Sequence, residues 1–204
     1  MTTELVLATG NEHKARELAA MVPGVRIRTP GDLGIRFEYE ETGSTYLENC
    51  MGKAMALYHL LAAAGSPRAV LADDSGLSVV ALGGTPGVHS ARYGAAESGE
   101  PLESSARNAL LLRAMDGVSD RRAFYVCCMV LVFSEYRYVV AQETWDGMIA
   151  HEPSGSGGFG YDPIFLLHGE DRTAAHLSES EKNTLSHRGK ALQKILPHLK
   201  DIDR

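Results

Sequence analysis

The first 22 residues constrain the fold more than any other stretch. A buried-strand pattern over residues 4–9 (Glu4-Leu5-Val6-Leu7-Ala8-Thr9) breaks at Gly10-Asn11 and passes at once into a helical pattern carrying Ala15, Leu18, Ala19 and Val22. A strand feeding a helix with no linker is the repeating unit of α/β proteins, and the same alternation returns further along. Thr45 followed three residues on by Glu48 forms a capping box, and Leu47, Cys50, Met51, Ala54, Leu57 and Leu61 recur on one helical face until Gly65-Ser66-Pro67 stops it. Ala69 to Ala72 reads as a short strand running into Asp73-Asp74-Ser75-Gly76, and Leu77 to Leu82 as the next strand. A helix near Leu102 to Met115 follows, then a β-hairpin over Arg122–Phe133 and Arg137–Thr144. A last helix starts at Ser178 with Glu181 and carries Leu185, Leu192, Ile195 and Leu199. The expected architecture is α/β, as one large domain or two lobes sharing a core.

With 44% hydrophobic and 23% charged residues, the chain has the balance of a globular protein. A net charge of -6 opposes broad binding to nucleic acid, which needs a basic surface. It leaves room for a nucleotide, because a few local lysines over a metal ion neutralise phosphate. The strand pattern starts with no basic region or cleavage site ahead of it, and no apolar run nears the ~20 residues that span a bilayer. Cys127 and Cys128 are neighbours on one strand and face opposite ways, so they are not expected to bridge, and no Cys/His spacing suggests zinc. A reduced, cytoplasmic protein with no membrane partner is expected.

Five stretches could carry chemistry. In Thr9-Gly10-Asn11-Glu12-His13-Lys14 a small-residue turn opens a helix, where free N–H groups and the positive dipole end bind phosphate. Lys14 sits in the first turn, where a cation is unfavourable unless an anion lies nearby. Asn11 as an ordinary N-cap and Lys14 as a solvated side chain is the equal alternative. In Asp73-Asp74-Ser75-Gly76 two adjacent carboxylates at a turn call for positive charge, and Mg²⁺ suits them. The alternative is a turn whose aspartates cap backbone N–H groups. Glu40-Glu41 and Lys53, the latter expected on the face away from the apolar stripe, would complete a metal and phosphate site, or would simply be solvated.

Gly155-Ser156-Gly157-Gly158-Phe159-Gly160 matches G-x-G-x-x-G, but Tyr161-Asp162-Pro163 forbids the helix that a dinucleotide fingerprint must open. The glycines instead suggest a backbone close to a flat ligand, with Phe159 available to stack, or a plain loop. Finally, Lys182, Asn183, Ser186, His187, Arg188 and Lys190 make a polar stripe opposite the leucines, of a kind usually solvated. Within it Ser186-His187-Arg188 concentrates donors apt for reading carbonyl oxygens on a base.

Taken together, LATGNEHKARELA, EETGSTYLENCMGKA, LADDSGLSVVALGGTPGVHSARY, SGSGGFGYDPIF and TAAHLSESEKNTLSHRGKAL resemble, in order and over nearly the whole chain, the Ham1-like family of inosine triphosphate pyrophosphatases. The resemblance implies one domain over 1–204, an elongated two-lobed α/β protein around a long mixed β-sheet with flanking helices. The nucleotide would lie in the cleft between lobes, and the protein would be a homodimer. It implies Mg²⁺-dependent hydrolysis of dITP, ITP, XTP or dXTP to the monophosphate and pyrophosphate. By the same resemblance, Thr9, Gly10, Asn11, Glu12, His13 and Lys14 would cradle the triphosphate, with Lys53 as a second charge partner. Asp74 with Glu40 or Glu41 would bind the metal, Asp74 would activate water, Asp73 would support the site, and Ser75 would touch substrate. Phe159, Gly160, Tyr161, Asp162, Lys182, His187 and Arg188 would form the base pocket. The chain departs from the family pattern at Cys50-Met51-Gly52, where Gly52 costs a helix roughly 1 kcal/mol, and at Val80 and His89. Rival readings are a pyrophosphatase for modified pyrimidines, a silent nucleotide-binding module, and a Ser75 hydrolase, the last lacking G-x-S-x-G.

Overall fold

The computed structural model describes residues 4–22, 24–95 and 100–202. Six strands form one mixed sheet in the order β2-β1-β3-β4-β5-β6: β1 (Glu4–Leu7), β2 (Arg26–Arg28), β3 (Val70–Val79), β4 (Arg122–Ser134), β5 (Arg137–Ile149) and β6 (Phe165–Leu167). β1 runs parallel to β2 and to β3, with Val6 opposite Val70 and Leu7 opposite Leu71. β6 is antiparallel to β5. The helices are α1 (Glu12–Met21), α2 (Tyr46–Ala63), α3 (Ser104–Ala114), α4 (Glu179–Leu185) and α5 (His187–Ile195). Among the described residues no helix is long and apolar enough to cross a membrane.

The chain divides into two compact units, and β3, β4 and β5 contribute residues to both. The first unit holds residues up to Asp74, 127–143 and 188 onward. Its strands alternate between two cores, as period-2 side chains must. Leu5, Leu7, Leu71, Cys127 and Met129 pack with Leu18 of α1 and Leu192 and Ile195 of α5. Val6, Ala8, Val70, Ala72 and Cys128 pack on the other face with Cys50, Ala54, Leu57 and Leu61 of α2. The two neighbouring cysteines thus lie in different cores, and all three cysteines are free. The second unit, 75–126 and 144–187, is built around Leu77, Leu111, Tyr125, Trp145, Tyr161 and Phe165.

Four sequence expectations change. Asp73-Asp74-Ser75-Gly76 is not a turn: β3 runs unbroken through it, because the flanking residues are buried and the sheet claims them. The last helix is two helices, since Ser186 is extended (φ -71°, ψ 158°). Its polar stripe is the buried side, with Lys182, Ser186, His187 and Arg188 inside and Leu185 42% exposed. Ala19 and Leu47, assigned to apolar faces, are also exposed. The capping boxes at Thr45/Glu48 and Ser178/Glu181 form as expected. Gly52 is explained by a close approach: a Cβ there would overlap the Tyr39 hydroxyl, so the segment leading to Glu40-Glu41 lies directly on α2.

Candidate active site

Continuity of β3 decides how its two acids are used. Asp73 follows Leu71 onto the α1/α5 face, and Asp74 follows Ala72 onto the α2 face. Asp73 is fully buried, with Lys14 Nζ 3.1 Å and Arg188 Nε and Nη2 each 3.3 Å from Oδ2. Arg188 Nη1 donates to Glu17 Oε2 at 2.6 Å. Burial opposes the charged form of Asp73, but Lys14, Arg188 and Lys53 outweigh it and hold the carboxyl far below the usual range. Asp73 is therefore a locked anion, and it is the anion that makes Lys14 acceptable in the first turn of α1.

Asp74 is 4% exposed, and its Oδ2 has no hydrogen-bond partner among the described residues. Burial first, and the Glu41 carboxylate second, push its pKa up to about 6; Lys53, Lys14 and the Asn49 carboxamide oppose the rise without cancelling it. Lys53 is not on a face away from the apolar stripe as expected: it is buried beside Cys50 and Ala54 and pairs with Glu41. Burial alone would lower the Lys53 pKa, but Asp73 and Glu41 leave it raised. Asn49, one turn earlier on the same face, is also buried and accepts the Gly43 N–H at 2.7 Å, which ties the acidic segment to α2. Glu40 is exposed while Glu41 is half-buried, so of the two Glu41 is placed with Asp74 and Lys53.

At the start of α1 the ordinary capping geometry is present. Asn11 Oδ1 accepts from the N–H groups of His13 (3.0 Å) and Lys14 (3.2 Å), and Thr9 Oγ1 accepts the Asn11 N–H at 3.1 Å. These three N–H groups are thus capped rather than free, as in the N-cap alternative. The space beside Gly10 is open. His13 is exposed, with its ring 2.9 Å from Arg16, and the side chain of Glu12 lies outside the described residues.

In the second unit Asp162 is a hub. Its Oδ2 accepts from Lys182 Nζ (2.6 Å) and the Phe159 N–H (2.8 Å), and its Oδ1 from Tyr125 Oη (3.2 Å). The Lys182 ammonium also lies 4.4 Å from the Phe159 ring centroid, a cation–π contact. His187 is buried in a stack on Tyr125, 4.6 Å between centroids and 6° between planes, with Trp145 beyond. Arg188 groups instead with Asp73 and Glu17 in the first unit. The glycines of this loop have a different cause from the one expected. A Cβ on Gly157 would meet the Ala175 carbonyl and one on Gly158 the Asp162 carboxylate, so they serve chain packing, and Gly160 alone faces open space. Ser75 is half-buried in β3.

The Ham1 family profile matches residues 5–198, nearly the whole described chain. The chain belongs to the Ham1 family. It is 49% identical over 197 residues to a dITP/XTP pyrophosphatase of Treponema denticola, covering 97% of this chain and 98% of the relative. It is 43% identical over 202 residues to one of Nitrosomonas europaea, covering 97% and 95%. A solved Ham1 protein of Coxiella burnetii superposes with a TM-score of 0.84 at 36% identity, covering 97% of this chain and 98% of that one. The mixed six-stranded sheet with flanking helices is thus the Ham1 architecture. Glu17, Asn49 and Tyr125 hold Ham1 motif residues in place without having stood out in the sequence. Glu17 had a signal, since it lies one turn from Lys14 on α1 and shares its face; Tyr125 had none.

Mg²⁺ is the cofactor this family resemblance implies, and the oxygens present suit it. Asp74 offers a buried carboxylate oxygen without a hydrogen-bond partner among the described residues, and the negative charge of Glu41 acts on it. Among the described residues no group of three or more His, Cys, Asp or Glu could hold a metal alone. Mg²⁺ is commonly held by one or two carboxylates together with water and substrate phosphates.

Proposed function

We propose that this protein hydrolyses deaminated purine nucleoside triphosphates, of the dITP, ITP and XTP class, to the monophosphate and pyrophosphate. The observation that carries the mechanism is the division of labour between Asp73, locked by Lys14 and Arg188, and Asp74, buried and left with an open oxygen. The relatives named dITP/XTP pyrophosphatase support the substrate class.

Asp74 is the general base. It accepts a proton from water as the water oxygen bonds to the α-phosphorus, and the bond from that phosphorus to the bridging oxygen breaks, releasing pyrophosphate. Lys14 and Lys53 stabilise negative charge developing on the leaving group. Mg²⁺, held through Asp74 and Glu41, would supply further positive charge against the phosphate oxygens. In the second unit Phe159 offers a face for the base, and Lys182 and His187 supply donor chemistry for its carbonyls, with Asp162 holding Lys182. The Gly160 and Tyr161 N–H groups form no hydrogen bond within the described residues. Donors turned toward O6 disfavour the 6-amino group of adenine, and mismatched buried polar groups discriminate by up to ~10⁴-fold. A cytoplasmic homodimer is the setting carried over from the family resemblance.

The test is turnover of dITP, XTP, dGTP, dATP and dUTP with and without Mg²⁺, with the phosphorus product identified. Pyrophosphate from dITP and XTP is expected, and Asp74→Asn should lower kcat by roughly 10²–10⁴-fold. Release of orthophosphate, or equal turnover of dATP and dITP, would overturn the proposal.

A further inference from the structure

The loop that carries Phe159 is also held from α3, a helix that carries none of the candidate site residues. Asn108, on α3 and 4% exposed, donates from Nδ2 to the Gly160 carbonyl at 3.1 Å. Its neighbour Arg107 holds the next residue: the guanidinium lies 5.6 Å from the Tyr161 ring centroid and is itself pinned to the Ala91 carbonyl at 2.6 Å. Tyr161 Oη donates to the Ser90 carbonyl at 2.8 Å. The side chains are therefore anchored. The Gly160–Tyr161 peptide is different. Gly160 has φ +63° and open space beside it, and neither the Gly160 nor the Tyr161 N–H makes a hydrogen bond in the described structure. A glycine in that region flips its following peptide at little steric cost. Among the described residues, the bond from Asn108 is thus the one hydrogen bond that sets this peptide's orientation.

A trans peptide points its C=O and N–H in opposite directions. With the carbonyl drawn toward α3, the Tyr161 N–H is turned to the other side; a flip would put a carbonyl there instead. An N–H suits the 6-oxo group of hypoxanthine or xanthine, and a carbonyl suits the 6-amino group of adenine. We infer that Asn108 is a positioning residue for base specificity, holding the Gly160–Tyr161 peptide with its donor rather than its acceptor toward the purine. This rests on the deaminated-purine reading above.

Asn108→Leu keeps the volume and removes the donor. The dITP-to-dATP ratio of kcat/KM should fall about tenfold or more, the worth of one buried hydrogen bond. The fall should come from a raised KM for dITP with kcat nearly unchanged, and affinity for inorganic triphosphate should stay as in wild type. A role in stability alone would not move that ratio. If the leucine variant does not fold, Asn108→Ser, too short to reach the carbonyl, carries the same expectation. A discriminating wild type with an equally discriminating variant would overturn this inference alone. A wild type that turns over dITP and dATP alike would overturn the substrate reading and this inference with it.

Discussion

Replacing Asp74 by asparagine should slow turnover by about 10²–10⁴-fold and, in metal-free protein, make the fold more stable. The carboxylate is 4% exposed and its pKa is raised from 3.8 to about 6 by burial and by Glu41. Between those two values the native state holds a proton that the unfolded chain has lost, so stability falls as pH rises through this window. Above pH 6 the full penalty stands, about 3 kcal/mol for a rise of this size. Asparagine is nearly isosteric and does not ionise, so it avoids the penalty. Urea unfolding in EDTA at pH 8 should show Asp74→Asn more stable by about 2–3 kcal/mol, a Tm gain on the order of 5–10 °C for a chain of this length. At pH 5 the gain should shrink to about half, because native Asp74 is then largely protonated. Added Mg²⁺ should stabilise wild type more than the variant, narrowing the gap. An asparagine variant no more stable than wild type at pH 8, or a gain that does not shrink at pH 5, would refute the reasoning.

Two further perturbations test the surroundings. Arg188→Leu strips a buried cation from Asp73 and Glu17 and should destabilise by about 3–5 kcal/mol by urea unfolding at pH 7. Asp73's depressed pKa contributes stability that is present above 3.8 and lost as pH falls, so this loss should diminish on acidification; a pH-independent loss would count against the pairing. Gly52→Ala would ordinarily strengthen a helix by about 1 kcal/mol. Here overlap with the Tyr39 hydroxyl should make it destabilising by about 1–2 kcal/mol, and thermal melts in a Tyr39→Leu background should show the sign reversed.

Local signals gave the elements well. Asn11, Thr45 and Ser178 each marked a helix start because capping is decided within four residues. The β3 segment hides its strand from the sequence for the opposite reason. Asp-Asp-Ser-Gly has turn chemistry, and only pairing and burial in the sheet, which are long-range, override it. The same blindness affected Lys53 and Arg188, whose partners Glu41, Asp73 and Glu17 lie 12, 115 and 171 residues away. A charge on a helix looks solvated until its counter-charge is placed. The loop glycines misled because the sequence does not reveal what lies beside a missing Cβ: at Gly157 it is the Ala175 backbone and not a ligand. Asn108 was invisible, being a single polar residue on a short helix.

One consequence of β3 reaches beyond the site itself. Because the two acids are consecutive, the roles of locked anion and proposed base are distinguished only by which side of the sheet each meets. That parity is set by the alignment of Val70 and Leu71 with Val6 and Leu7. A slip of one residue would turn Asp73 toward α2 and Asp74 toward Lys14 and Arg188, and would turn Leu71 and Ala72 into each other's cores. The hydrophobic pattern that keeps the strand in step is therefore also what keeps the two carboxylates from exchanging jobs. A conservative repacking of Val6, Leu7, Val70 or Leu71, with no polar atom changed, becomes a change to the chemistry if it loosens that alignment.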